Sequence, residues 1–185
     1  MILQLAGLPG TGKSTLAAGL QRHFGDRCLV LDKDRVRAAL YEQAGQVTYH
    51  RDQDDFVVSL LQLAAQERLT RDPAAVVVLE RTCTRAYQIA DVTRLAATTG
   101  QPLAVIVCWC PDNIARARLD ADHRNGGHPA ANRTFALYQR LQRNADPITV
   151  AALQLRTDTT ADEVLATAVG YLNQLLDTRS EATVR

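Results

Sequence analysis

Gly7-Leu8-Pro9-Gly10-Thr11-Gly12-Lys13-Ser14-Thr15 fits G-x-x-x-x-G-K-[ST], the phosphate-binding loop. An apolar run, Ile2 to Ala6, precedes it and reads as a buried strand. Leu16, Ala17, Leu20 and Phe24 follow at helical spacing. The loop therefore turns from a strand into a helix N-terminus. There the first backbone N–H groups lack partners and the helix dipole is positive. A polyphosphate supplies the missing acceptors. Gly7, Gly10 and Gly12 let the backbone curl around it without Cβ clashes, and Thr11 and Thr15 fall in the same nucleotide-binding stretch. Lys13 is placed for the β- and γ-phosphates, and Ser14 for Mg²⁺. Lys13 and Lys33 are the only lysines among 21 basic side chains. An arginine-biased chain has kept a compact ammonium at the loop.

Further along, Cys28-Leu29-Val30-Leu31 predicts a second strand, ending in Asp32-Lys33-Asp34. A short helix follows from Arg35 to about Glu42, then a polar stretch over Gln43 to Gln53. Asp54 to Arg71 reads as a long helix whose stripe is Phe56, Val57, Leu60, Leu61 and Ala64, stopped by Pro73. Ala75 to Leu79 is a continuous apolar run, as in a central parallel strand, and ends in Glu80-Arg81-Thr82. A helix over Arg85 to Thr99 has Gly100 past its end. A strand over Leu103 to Cys108 leads to a helix opened by Pro111-Asp112, with Asp112 as its expected N-cap. Asn125-Gly126-Gly127-His128-Pro129 reads as a flexible break before a helix over Thr134 to Asn144. Leu153 to Thr157 is the last strand, and Thr160-x-x-Glu163 is a capping box for a helix ending near Leu176. The tail from Asp177 reads as frayed.

This alternation predicts a parallel sheet with helices on both faces. Right-handed crossovers put all strand C-terminal ends on one edge, where ligands bind. The loop, Asp32/Asp34 and Glu80/Thr82 should converge there.

The 185 residues suit a single domain with a lid. Net charge is +1, so no global field draws the chain to nucleic acid or membrane. No apolar run is long enough to span a bilayer, and no signal peptide precedes the loop. Cys28, Cys83, Cys108 and Cys110 lack C-x-x-C or zinc spacing and read as free thiols in a reducing cytoplasm. His23, His50, His123 and His128 show no ligand spacing.

At the ligand edge, Asp34 is placed to orient an acceptor hydroxyl, with Asp32 the second choice. As a helix-start residue, Asp34 would also serve as an N-cap. Arg37, one helical turn on, and Thr82 are candidate acceptor contacts. Glu80 is placed to hold Mg²⁺ with Ser14, while Arg81 reads as a surface residue. Six arginines and two aspartates lie between Arg116 and Arg143, interrupted by the glycines. This segment reads as a lid over about 116–134, with Arg118 and Arg124 the first choices for stabilising transferred charge, then Arg116 and Arg133.

Gly-x-Pro-Gly-Thr-Gly-Lys-Ser-Thr, Leu31-Asp32-Lys33-Asp34-x-x-Arg37, Val76-Val77-Val78-Leu79-Glu80-x-Thr82, Val107-x-x-x-Pro111-Asp112, Tyr138-Gln-Arg140 with Asp146-Pro147, and Thr157-Asp158-Thr159 together resemble one family. It is the small bacterial P-loop kinases of AAA type, which include polynucleotide 5′-kinase domains, zeta-toxin-like and chloramphenicol phosphotransferase-like enzymes. The resemblance spans nearly the whole chain. It implies a three-layer P-loop NTPase α/β fold with a five-stranded parallel sheet in order 2-3-1-4-5 and a helical lid. It further implies transfer of the γ-phosphate of ATP to a hydroxyl with Mg²⁺, with Asp34 and Arg37 as catalytic and substrate-binding residues. The acceptor stays open between a small molecule and a nucleic-acid 5′ end. A nucleotide-binding protein without kinase activity is the alternative. N-K-x-D, expected of a GTPase, is missing, and so is the paired Asp-Glu of a ring ATPase.

Overall fold

The computed structural model describes residues 1–125 and 132–183, with side chains to residue 177. The first β-α pair is β1 (Ile2–Ala6) and α1 (Lys13–Phe24), joined by the glycine loop. After a 3₁₀ turn come β2 (Cys28–Asp32), α2 (Lys33–Tyr41), α3 (Arg51–Arg71) and β3 (Val76–Glu80). The chain continues through α4 (Ala86–Thr99), β4 (Leu103–Trp109), α5 (Asp112–Asn125), α6 (Phe135–Arg143), β5 (Leu153–Arg156) and α7 (Ala161–Thr183). The strands form one parallel sheet in the order β2-β3-β1-β4-β5. This is the P-loop NTPase fold, a three-layer sandwich. Among the described residues no helix is long and apolar enough to cross a membrane.

Each central strand is buried on both faces, so strand alternation divides its side chains between two cores. Leu3, Leu5, Val76, Val78 and Ile106 pack with Leu16 and Leu20 of α1 and Ala168 and Leu172 of α7. Ile2, Val77 and Leu79 face the other layer, with Leu61 and Leu69 of α3 and Val92 and Leu95 of α4. Gln4 is buried in β1, and its amide donates to Leu5 O and Leu79 O, 3.0 Å each. Gly100 closes α4 at φ 64°, a left-handed position where a Cβ costs about 1–2 kcal/mol.

Several local expectations change. The buried stripe of α3 is Val57, Leu61, Ala65 and Leu69, an i, i+4 row; Phe56 is half exposed instead. The α2 helix begins earlier than expected, so its N-cap is Asp32, not Asp34. Asp32 Oδ1 accepts from the Asp34 and Arg35 amides at 2.8 and 3.4 Å. Asp112 lies inside α5; Pro111 O accepts from the Ile114 and Ala115 amides at the helix start. The tail expected to fray continues α7 to Thr183. The Thr160/Glu163 capping box forms, with bonds of 3.0 and 3.3 Å. The break at Gly126-Gly127-His128-Pro129 lies outside the described residues.

Leu172 holds α7 on the sheet. Leu172→Ala is expected to cost about 2–5 kcal/mol, the range for emptying a fully buried leucine site. Leu63→Ala, at a residue 61 % exposed on α3, should cost under about 1 kcal/mol. Urea denaturation midpoints of the two variants test the assignment of this core.

Candidate active site

Parallel register assembles the site. Leu5 of β1 pairs with Glu80 of β3, and Glu80 pairs with Asp32 of β2. Three strands thus end at one level, and the glycine loop starts one residue past β1. Gly7 N donates to Thr82 O at 3.1 Å, which ties the loop to the end of β3. Cys83 next to it holds a left-handed φ of 52°, so the chain turns sharply away.

The loop is packed from three sides. Gly7, Gly10 and Gly12 hold φ of 135°, 78° and 81°. A Cβ on Gly7 would lie 2.3 Å from Cys108 O of β4, and one on Gly10 2.9 Å from Ala115 O of α5. A Cβ on Gly12 would meet Thr157 at 3.3 Å. Thr157 Oγ1 in turn donates to Thr11 O at 2.9 Å and to Trp109 O at 3.1 Å. The loop backbone is thereby clamped between β4, α5 and the turn after β5.

Gly12 caps α1 in left-handed geometry, and Lys13 is the first helical residue. The Lys13 side chain is only 8 % exposed, and its Nζ donates across the loop to Leu8 O at 3.0 Å. Burial lowers its pKa, and the Glu80 carboxylate partly opposes that shift. Glu80 shifts the other way for the same reason: burial raises its pKa, and Lys13 partly offsets it. Ser14 Oγ donates to Glu80 Oε1 at 2.6 Å. A hydroxyl and a carboxylate oxygen this close are hard donors that suit Mg²⁺. The described residues hold no cluster of three His, Cys, Asp or Glu able to bind a metal. Mg²⁺ would therefore take its other ligands from phosphate oxygens and water, its usual preference.

Two cavities flank Lys13. One, of 490 Å³, is lined by Gly10, Gly12, Ser14, Thr15 and Arg118. The other, of 230 Å³, is lined by Asp34, Arg37, Asp54, Glu80, Arg81 and Thr82. Lys13, Asp32 and Arg133 line both.

The smaller cavity has a charged floor. Arg37 is 2 % exposed, and its Nη1 donates to Asp34 Oδ1 at 2.8 Å. Its Nη2 lies against Asp54 Oδ1. Lys33 Nζ donates to both Asp54 oxygens at 3.1 Å and sits 3.4 Å from Asp34 Oδ1. Burial brings the Lys33 pKa down to about 8, against the pull of Asp34. The Tyr49 ring stacks 5.3 Å from the Arg37 guanidinium.

The chain belongs to the AAA domain family. The match to that family covers residues 2–148. No curated relative matches by sequence. Solved structures share the fold of this AAA domain. A candidate kinase from Chloroflexus aurantiacus superposes with TM-score 0.73 at 16% identity, covering 91% of this chain and 96% of that one. A gluconokinase from Sinorhizobium meliloti 1021 gives 0.67 at 15%, covering 97% and 95%. An APS kinase from Mycobacterium tuberculosis, in complex with AMPPNP and APS, gives 0.67 at 21%, covering 93% and 96%.

In this AAA domain the arginines of the α5–α6 region separate by position. Arg118 Nη2 donates to Thr157 O at 2.7 Å and Nη1 to Gly10 O at 3.4 Å, so Arg118 borders the glycine loop. Arg133 pairs with Asp122 at 3.4 Å. Arg124 is exposed and lines neither cavity, contrary to its ranking from sequence. Arg116 is exposed too, 5.4 Å from the Phe135 ring. Arg81, expected at the surface, is 8 % exposed and lines the smaller cavity.

Asp54 and Tyr49 are not singled out from sequence; Arg81 reads there as a surface residue, and Thr157 enters only within the Thr157-Asp158-Thr159 motif. Asp54 had one signal, an acidic residue in the first turn of a helix that returns to the sheet edge.

Gly7→Ala should destabilise the domain by more than about 3 kcal/mol, since a strained φ and a backbone clash coincide. Gly25→Ala, at φ 56° with open space around it, should cost about 1–2 kcal/mol. Chemical denaturation of the pair separates crowding from backbone strain.

Proposed function

We propose that this chain is an ATP-dependent phosphotransferase that moves the γ-phosphate of ATP to a hydroxyl group. The observation that carries this reading is the meeting of two cavities at Lys13. One is walled by the loop backbone and α1, which suits a polyphosphate. The other holds a carboxylate, Asp34, and is the right place for an acceptor. A nucleotide-binding protein without turnover would have no use for a second cavity floored by Asp34, Arg37 and Asp54.

In this reading the N–H groups of Gly10, Thr11, Gly12, Lys13, Ser14 and Thr15 cradle the phosphates, with Gly7 giving the loop its entry. Lys13 leaves Leu8 O for the β- and γ-phosphates. There a neighbouring phosphate favours the ammonium that burial disfavours. Ser14 and Glu80 hold Mg²⁺, which neutralises charge on the phosphates. Asp34 accepts the hydroxyl proton and aims the oxygen, while Arg37 fixes the Asp34 carboxylate and Thr82 contacts the acceptor. Arg118 and Arg133 supply positive charge from the α5–α6 side. Residues 1–185 act as one kinase domain, with about 116–134 as its lid.

A 230 Å³ cavity and a net charge of +1 favour a small-molecule acceptor over a polynucleotide gripped by many phosphates. Four free, buried cysteines suit a reducing cytoplasm.

The test is transfer from γ-labelled ATP to a panel of hydroxyl acceptors, beside ATP affinity by calorimetry. Lys13→Ala should abolish transfer and weaken ATP binding. Asp34→Asn should keep ATP affinity and lower kcat about 10²- to 10⁴-fold, the usual contribution of a general base. Wild-type kcat in Asp34→Asn would remove Asp34 from the mechanism. ATP binding unchanged in Lys13→Ala would overturn the loop assignment.

A further inference from the structure

We propose that the smaller cavity contains an oxyanion subsite built on Arg81, so that the acceptor is a hydroxyl compound that also bears a phosphate, sulfate or carboxylate group. This rests on reading that cavity as the acceptor site.

Two of the charged side chains lining the cavity have neither an ion pair nor a side-chain hydrogen bond among the described residues. Lys33 and Arg37 share Asp54 and Asp34. Glu80 accepts from Ser14, Lys13 donates to Leu8 O, and Arg133 faces Asp122. Arg81 and Arg140 have no ion pair among the described residues. Arg140 is exposed on α6, where water satisfies it at little cost. Arg81 is different: it is 8 % exposed, and its Nη2 is buried without a hydrogen-bond partner among the described residues, as are Nε and Nη2 of Arg37, but Arg37 has the carboxylates of Asp34 and Asp54 beside it and Arg81 has none.

The Arg81 backbone is pinned at the end of β3, where its N–H donates to Leu5 O at 3.2 Å. A buried guanidinium donor without an acceptor is costly, and folded proteins rarely leave one. A planar fork of N–H donors matches the oxygens of a phosphate, sulfate or carboxylate. A neutral polyol would satisfy one donor and leave the charge uncompensated. Arg140 lines the same cavity and adds a second positive charge. Leu137 and Leu141 of α6, with Pro9, give that wall an apolar surface, where a charge-assisted bond is stronger than in water. Of the four carboxylates lining the cavity, Asp34 and Asp54 are held by Arg37 and Lys33, Asp32 by Arg35 and the Asp34 N–H, and Glu80 by Ser14, and none pairs with Arg81.

The experiment occupies the glycine loop first. Protein saturated with Mg²⁺ and AMPPNP is titrated with inorganic phosphate, sulfate or acetate by calorimetry. The wild type should bind one further anion saturably. Arg81→Gln should weaken that binding about ten-fold or more, as for losing a hydrogen bond to a charged group. Arg81→Lys should keep part of it, and Arg140→Gln should weaken it a few-fold. Tighter binding of phosphate and sulfate than of acetate points to a phosphorylated or sulfated acceptor, and the reverse order points to a carboxylate. No second anion on the wild type, or binding that none of the three variants changes, overturns the subsite. Arg81→Lys and Arg140→Gln carry the test if Arg81→Gln does not fold. Failure of AMPPNP itself to bind would instead strike at the phosphotransferase reading.

Discussion

The glycine loop has no room for side chains, and the rest of the site depends on that. At Gly7 and Gly10 the nearest atoms are main-chain carbonyls of Cys108 and Ala115, which cannot move aside without shifting β4 or α5. The loop is thus part of the sandwich and not an appendage on it. Close packing makes such an arrangement stiff. Stiffness in turn fixes where Lys13, Ser14 and the first N–H groups of α1 point. Thr157 completes the clamp by bonding Thr11 O and Trp109 O, so the turn after β5 is tied to the loop it faces.

Electrostatics then distinguishes the two cavities. Around the loop, Lys13 and Glu80 are both buried, and burial pushes each toward its neutral form. Bound phosphate and metal would reverse both pressures, because each ligand carries the opposite charge. Around the smaller cavity, Asp34 and Asp54 already have Arg37 and Lys33 within ion-pair distance. Those ion pairs form in the protein alone and hold Asp34 in a defined orientation. Binding energy need not be spent on arranging it.

Those two kinds of construction explain what the sequence disclosed. The sheet, its strand ends and the glycine loop were legible because they rest on local signals: apolar runs, helical spacing and glycines at required left-handed positions. Register did the rest, since aligning β1, β2 and β3 brings Asp32 and Glu80 level with the loop. Errors arose where a two-residue offset or a tertiary contact decided. The N-cap of α2 fell on Asp32 and not Asp34 because the chain entered the helix two residues sooner than the apolar pattern implied. Phe56 looked like a stripe residue because α3 carries more apolar positions than its buried face uses.

Arg81 and Arg124 show the same limit from opposite sides. Both are arginines in polar surroundings, and composition alone would place both at the surface. Arg124 is there; Arg81 is buried because it follows a central strand, whose end is enclosed by the elements on either side. The nucleotide side of the site is made of backbone, and backbone requirements leave marks in the sequence as glycines. The smaller cavity is made of side chains from β3, α2, α3 and α6, brought together only by the fold. Chains that share only 14–21% of their residues with this one still superpose on its fold. The side chains around the smaller cavity leave no such mark and are read from the structure.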